Sequence, residues 1–282
     1  METGSNLHPV NSKNNIAEVI IGQSLIINFR YDGLTIVVGQ ANGKQILEIA
    51  TTTWLATKDE DQLLEHAREF FDEKNILLSQ AASIHWLFSV SKCSLIPDVY
   101  HEKGQGHEVL SYTARLTEDE SVFSDFWKRK DIVGLYALPL PLHDWAVSQN
   151  QKSTIAHISH ALNNFALQQT KSEYCLLMVS HSFAELYISK GGKLIFYNQF
   201  PFEVYEDLLY YLLFALEQNR IIAPEAELEV SGVETLKGSD LYKLLSTYIG
   251  KVSDVGIPIG KTSAPHITRN QLRQVAPLIA SL

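Results

Sequence analysis

Histidines, acids and thiols are the side chains of this chain that could do chemistry, and their spacing decides which chemistry is open to them. His157 and His160 stand three apart in a stretch of helical periodicity, and such a pair can ligate a metal. No cysteine or carboxylate follows at a matching interval, so both read as helix-edge histidines, with His181 elsewhere. His143-Asp144 offers an acid-oriented imidazole, but no serine or cysteine in a nucleophile elbow accompanies it. His101, Glu102, His107 and Glu108 bracket Gly104-Gln105-Gly106 and read as a polar loop, a weak metal option. The run Gly256-Ile257-Pro258-Ile259-Gly260-Lys261-Thr262 has the outline of a phosphate-binding loop. Its glycines enclose three residues rather than four, Pro258 removes a donor, and no strand–loop–helix setting surrounds it. The expectation is no metal centre and no catalytic residue.

Composition narrows the classes further. The 282 residues are 45% hydrophobic and 20% charged, as in a soluble globular protein. A formal charge of −9 argues against nucleic acid as a partner, because a phosphate backbone demands cations. No apolar run approaches the roughly 20 residues of a membrane span, and the N-terminal residues lack a signal-peptide pattern. Cys93 and Cys175 cannot build a disulfide framework. A cytoplasmic location is expected.

The elements that would position these groups form a repeated pattern. Residues 1–18 are expected to be a disordered N-terminal segment. Leu25–Arg30, Leu34–Gly39 and Gln45–Ala50 are short strand-like runs separated by Asp32-Gly33 and Asn42-Gly43, strong hairpin signals. A helix over Asp59–Lys74 opens with the capping-box spacing Thr57 to Glu60. Ser83–Val90 is a strand. Thr117 to Glu120 has the same capping spacing and predicts a helix over Thr117–Lys130, with Val122, Phe123, Phe126 and Trp127 inward. On that reading Glu118-Asp119-Glu120 and Lys128-Arg129-Lys130 suit the two ends of the helix dipole. Ile132–Leu138 is a strand, and Thr154–Gln169 is a helix. The series then recurs: strands Tyr174–Ser180, Phe183–Ser189 and Lys193–Phe200, helix Glu206–Asn219, strand Glu227–Ser231, a helix capped by Ser239, strand Lys251–Pro258, and a helix from Thr268 that Pro277 ends or kinks. Two lobes are expected, 19–170 and 171–282, each β-β-β-α-β-α-β-α, with parallel pairing among the later strands.

This doubled α/β order resembles the actin-like ATPase (ribonuclease-H-like) fold. It most resembles domain-of-unknown-function family 3822, a bacterial family of that fold, through Ser24–Thr35, the runs GKLIFYNQF (192–200) and EDLLYYLL (206–213), and LEVSG (228–232), over residues 18–260. The likeness implies a fold and no activity. In actin-like ATPases, Asp-x-Gly hairpins of both lobes hold a nucleotide between them. Here the first hairpin has Asp32 and Gly33 adjacent, a tight turn in which both supply positive φ, and the second reads Ser180-His181-Ser182-Phe183, without Asp or Gly. Leu25–Arg30 and Tyr174–Ser180 carry no carboxylates, which sets aside a two-metal nuclease. The leading expectation is a non-enzymatic scaffold or adaptor without cofactor. The alternative is an ATP-binding switch or ATPase using an interlobe cleft, with Arg30 countering phosphate, Asp32 holding Mg²⁺, and Ser180, Ser182 and Gly232 opposite.

Aromatics supply one more feature. Phe196, Tyr197, Phe200, Phe202, Tyr205, Tyr210 and Tyr211 crowd one strand-to-helix corner. Tyrosine buries area while keeping a wet end, as interfaces require. Tyr197, Phe200, Phe202 and Tyr205 are therefore candidates for a docking surface, for an unknown protein or a second copy of the chain.

Overall fold

The computed structural model describes residues 15–54, 60–127, 131–232, 237–258 and 260–281. Two compact units divide the chain. The first draws on the chain through His160 and on Thr262–His266; the second draws on Ala161–Lys261 and Ile267–Ser281.

In the first unit, α1 (Ile16–Val19) lies inside the segment expected to be disordered. It is capped by the Asn15 side chain and buries Ile16. Then come β1 (Ser24–Arg30), β2 (Gly33–Gly39), β3 (Gln45–Thr53), α2 (Glu60–Glu73), β4 (Ser83–Ser89), β5 (Cys93–Pro97), α3 (Gly106–Ser111), β6 (Glu120–Phe126), β7 (Ile132–Pro139), α4 (Leu140–Ser148), β8 (Ser153–His157) and α5 (Ile158–Ala166), the last running on into the second unit. The second unit continues with β9 (Glu173–Val179), β10 (Phe183–Lys190), β11 (Lys193–Pro201), α6 (Tyr205–Gln218), β12 (Glu227–Ser231), α7 (Asp240–Tyr248) and β13 (Lys251–Asp254). After β14 (Thr262–Ser263), which belongs to the first unit, follow α8 (Arg269–Gln274) and α9 (Ala276–Ile279).

The first unit's main sheet runs β14-β3-β2-β1-β4-β8, and the second unit's runs β11-β10-β9-β12-β13. Both place a three-strand antiparallel meander beside parallel later strands. The meander follows from the tight glycine turns, and the parallel pairs follow from intervening crossovers. In the first unit, α2 lays Leu63, Ala67, Phe70 and Phe71 into a core with Trp86 and Phe88. In the second, α6 lays Leu208, Leu212 and Leu216 against Leu177, Leu186 and Val230.

Two expectations about elements are corrected. The helix expected over Thr117–Lys130 is strand β6, which pairs with β7 and, through it, β5 in a separate three-stranded antiparallel sheet. Glu120 does accept from Thr117, at 2.8 Å from its N–H, but the latch leads into a strand. The first residues of the expected helix Thr154–Gln169 form β8, on the edge of the six-stranded sheet. The last helix breaks at Val275, just ahead of Pro277, which sits in the first turn of α9, as expected of a proline that ends or kinks the helix. Thr57 of the first capping pair and the run Lys128-Arg129-Lys130 lie outside the described residues.

Candidate functional site

The β1–β2 hairpin of the first unit holds the residues that would meet phosphate and Mg²⁺. Its register brings Arg30 opposite Gly33, with Tyr31 and Asp32 in the turn. Only Gly33 has positive φ, at 152°; Asp32 is not among the residues in that region, which corrects the expected role for it. A Cβ on Gly33 would stand 2.2 Å from the Thr52 carbonyl oxygen, so the glycine lets β2 close against β3. Asp32 is fully buried, and the Arg30 guanidinium donates from Nε to Asp32 Oδ1 at 3.0 Å. A second guanidinium nitrogen donates to Thr35 Oγ1 at 3.0 Å, and Thr35 Oγ1 lies 3.2 Å from Thr51 Oγ1. Trp54, buried in the core, fastens the turn, its indole N–H donating to Tyr31 O at 3.0 Å. Arg30 also borders a small, mostly apolar pocket with Phe29, Leu63, Phe88, Glu120 and Leu142.

The second unit's counterparts are likewise engaged. Ser180 Oγ donates to Phe183 O at 2.8 Å, and Ser180 N–H donates to the same oxygen, closing the β9–β10 turn. Ser182 O accepts from Phe202 N–H at 3.0 Å. Gly232 N–H donates to Gln274 O at 3.1 Å. The segment Gly256–Thr262 leads into β14, a strand paired with β3, where a phosphate loop would lead into a helix.

The histidines resolve separately. His157 ends β8 and His160 sits in α5, so they share no helix. His157 is fully buried; its Nε2 lies 3.0 Å from Val90 O, and its Nδ1 lies 2.8 Å from Ser159 Oγ. His160 Nδ1 lies 2.9 Å from Asp125 Oδ1, fastening α5 to β6. His143 stacks on Phe123 with ring centres 4.0 Å apart. His101 Nε2 lies 3.2 Å from Ser124 Oγ, and Glu102 accepts from Gln105 at 2.6 Å, so that loop is organised by its own contacts. Among the described residues, no group of three or more His, Cys, Asp or Glu is placed to hold a metal ion. Cys93 and Cys175 are free thiols. Burial pushes Cys93 above the usual thiol range and Cys175 up to about 12, which keeps both protonated and poor nucleophiles.

Burial also lowers His157 to about 4, against an ordinary value of 6.5. Its folded pKa is depressed, so its contribution is complete above pH 6.5. As pH falls the unfolded chain takes up the proton first, and stability is lost down to about pH 4. That window is worth about 2–3 kcal/mol. Denaturant titrations at neutral pH and at the acid end should show this loss in the wild type and a smaller one in His157→Gln, which can still donate to Val90 O.

The aromatic corner of the second unit is part core and part surface. Phe202 is buried in that unit's core, a correction to its place on a docking surface. Tyr197 and Phe200 are half-buried on β11, and Tyr205 is exposed at the start of α6. Phe200 stacks flat on Tyr211 with ring centres 4.9 Å apart. Tyr210, named in this corner but not among the docking candidates, is its most exposed ring, and Phe214, which sequence reasoning left out of the corner although it lies outside the leucine stripe of α6, is the next.

Among solved structures, the chain is similar to a Bacteroides thetaiotaomicron protein with an actin-like ATPase fold and unknown function. The TM-score is 0.68 at 17% identity, over 84% of this chain and 92% of that one. It is also similar to a chain of the PilM–PilN type IV pilus biogenesis complex, with a TM-score of 0.60 at 12% identity over 91% and 95% of the two chains. These likenesses show the actin-like ATPase fold. No curated protein matches. A sequence profile described as "Protein of unknown function (DUF3822)" matches residues 12–252.

Proposed function

The chain belongs to the DUF3822 family, and we propose that it uses the actin-like fold as a non-enzymatic cytoplasmic scaffold or adaptor that holds a protein partner in place of a nucleotide. One observation carries this reading: Arg30 and Asp32, the pair that would meet phosphate and Mg²⁺, are buried against each other and Thr35. Nucleotide would have to break that pair inside the core, where separating charges is costly. The hydrogen bonds of Ser180 and Gly232 support the same reading. The shared strand order of the two main sheets is consistent with an ancestral module that doubled and kept its packing. A structure of like fold in a pilus-assembly complex lends support to a partner-holding role. Free thiols and an acidic net charge suit the cytoplasm and a protein partner rather than nucleic acid. Among the described residues, no helix is long and apolar enough to cross a membrane. The docking surface on this reading is the α6 side of the second unit, with Phe200 and Tyr205; Tyr197, three residues before Phe200 on β11, lies on the opposite face of the sheet with its hydroxyl buried.

Calorimetry with Mg·ATP and with Mg·ADP tests the proposal. The expected result is no heat at millimolar nucleotide and an unchanged melting temperature, since a ligand of the folded state would raise it. Micromolar binding, weakened by Arg30→Lys, would overturn the scaffold and establish the ATP-binding switch or ATPase in its place.

A further inference from the structure

Helix α6 is apolar on two sides, and only one is covered. Leu208, Leu212 and Leu216 face the core, while Tyr210 is 64% exposed and Phe214 is 53% exposed. The two outer rings stack at 6.4 Å, and Tyr210 meets Tyr211 at 5.6 Å, which joins them to Phe200 of β11. Along the outer stripe the order is Glu206, Tyr210, Phe214, Glu217, at helical spacing, with Glu203 just ahead. All three glutamates are exposed. The second unit's ion pairs use the cations Lys171, Lys190, Lys243, Lys251 and Arg273, and among the described residues none involves these three glutamates.

Charge and edge chemistry together select the occupant. An aromatic strip with uncompensated carboxylates at both ends repels anionic lipid and nucleic acid and attracts Lys and Arg, which also stack favourably on a tyrosine face. Strand addition at the neighbouring edge is disfavoured: β11 ends in Pro201, which has no N–H, and Gln199 N–H is held by Asn198 Oδ1 at 2.9 Å. A helix needs no backbone partner and packs by side chains alone. We infer that this face docks a basic amphipathic helix of another protein, aliphatic along one stripe, with Lys or Arg about eleven residues apart to span the roughly 16 Å between Glu206 and Glu217. The inference rests on the scaffold reading and names the chemistry of the partner.

The probe is a fluorescent synthetic helix of about 18 residues, with leucines on one stripe and lysines flanking it, titrated against the full chain by anisotropy. Micromolar binding is expected, and it should weaken at least tenfold for Tyr210→Ala/Phe214→Ala and for Glu206→Lys/Glu217→Lys. These positions are exposed, so the melting temperature should hold in every variant. The lysine variant should instead capture the same peptide with glutamates in place of its lysines. Absence of binding, equal binding of both peptides to the wild type, indifference to the variants, or recruitment to anionic phosphatidylserine vesicles would each overturn the helix-docking inference. Nucleotide calorimetry on the same samples separates the two failures: a silent peptide without nucleotide heat removes this inference alone, while nucleotide heat removes the scaffold.

Discussion

Gly232→Ala is expected to cost about 2–5 kcal/mol, enough to leave a domain of ordinary stability marginal. Gly232 follows β12 with φ at 88°. A Cβ built there stands 1.9 Å from the Val179 carbonyl oxygen and 2.9 Å from Val179 N and C. The obstacle is backbone in the middle of a sheet, so no side chain can swing aside. Nor can the glycine retreat. Its strand is pinned to β9 by the register Ser231 to Met178. Its N–H is held by Gln274 O, and the preceding Ser231 Oγ donates to Arg273 O at 2.8 Å. Overpacking of this kind costs about 1–3 kcal/mol, and the left-handed backbone adds about 1–2 kcal/mol. Gly238 separates the two effects. Its φ is 86°, but a Cβ there meets nothing within 4 Å. Gly238→Ala should lose only the conformational part. Urea unfolding of the two variants checks the claim, and equal losses would refute the packing argument.

The three-strand meanders and the main helices were legible because tight turns and periodicity are local. Asp32-Gly33, Asn42-Gly43 and Gly191-Gly192 mark the meanders, and the leucine stripe of α6 marks its core face. The segment 117–130 was misread for a physical reason. Val122, Phe123, Phe126 and Trp127 fit one face of a helix, but in the structure Val122 and Phe123 are both half-buried, and burial alternates only at the end of the run, with Asp125 and Trp127 buried and Ser124 and Phe126 out. A short apolar run has no period of its own, and the partner strand decides. That partner, β7, was legible, while β5 was not: it is half-buried along most of its length and shows no alternation. The short β14 depends on a β3 partner more than two hundred residues away in sequence, which no window can contain. At the candidate site the sequence located the hairpin but not its chemistry. Asp32 read as a turn residue, and on the alternative Arg30 and Asp32 read as groups awaiting a ligand, whereas their geometry makes them each other's partners.

That pairing sets the second large expectation. Arg30→Met keeps most of the aliphatic volume and removes the guanidinium from beside a fully buried Asp32. It also removes the donor to Thr35, which sits on the neighbouring strand. Removing one partner of a buried pair costs about 3–5 kcal/mol, because the remaining charge stays in the core. Arg30→Met/Asp32→Asn should cost less than Arg30→Met alone, since the buried side chain is then neutral and still polar enough to hydrogen-bond. A thermodynamic cycle completed with Asp32→Asn gives the coupling directly. Were the pair held apart for phosphate and Mg²⁺, the coupling would be weak and Mg·ATP would protect Arg30 variants less than the wild type. A strong coupling that nucleotide leaves untouched is what a hairpin latched for packing requires, and it makes the turn a structural element of a partner-holding fold.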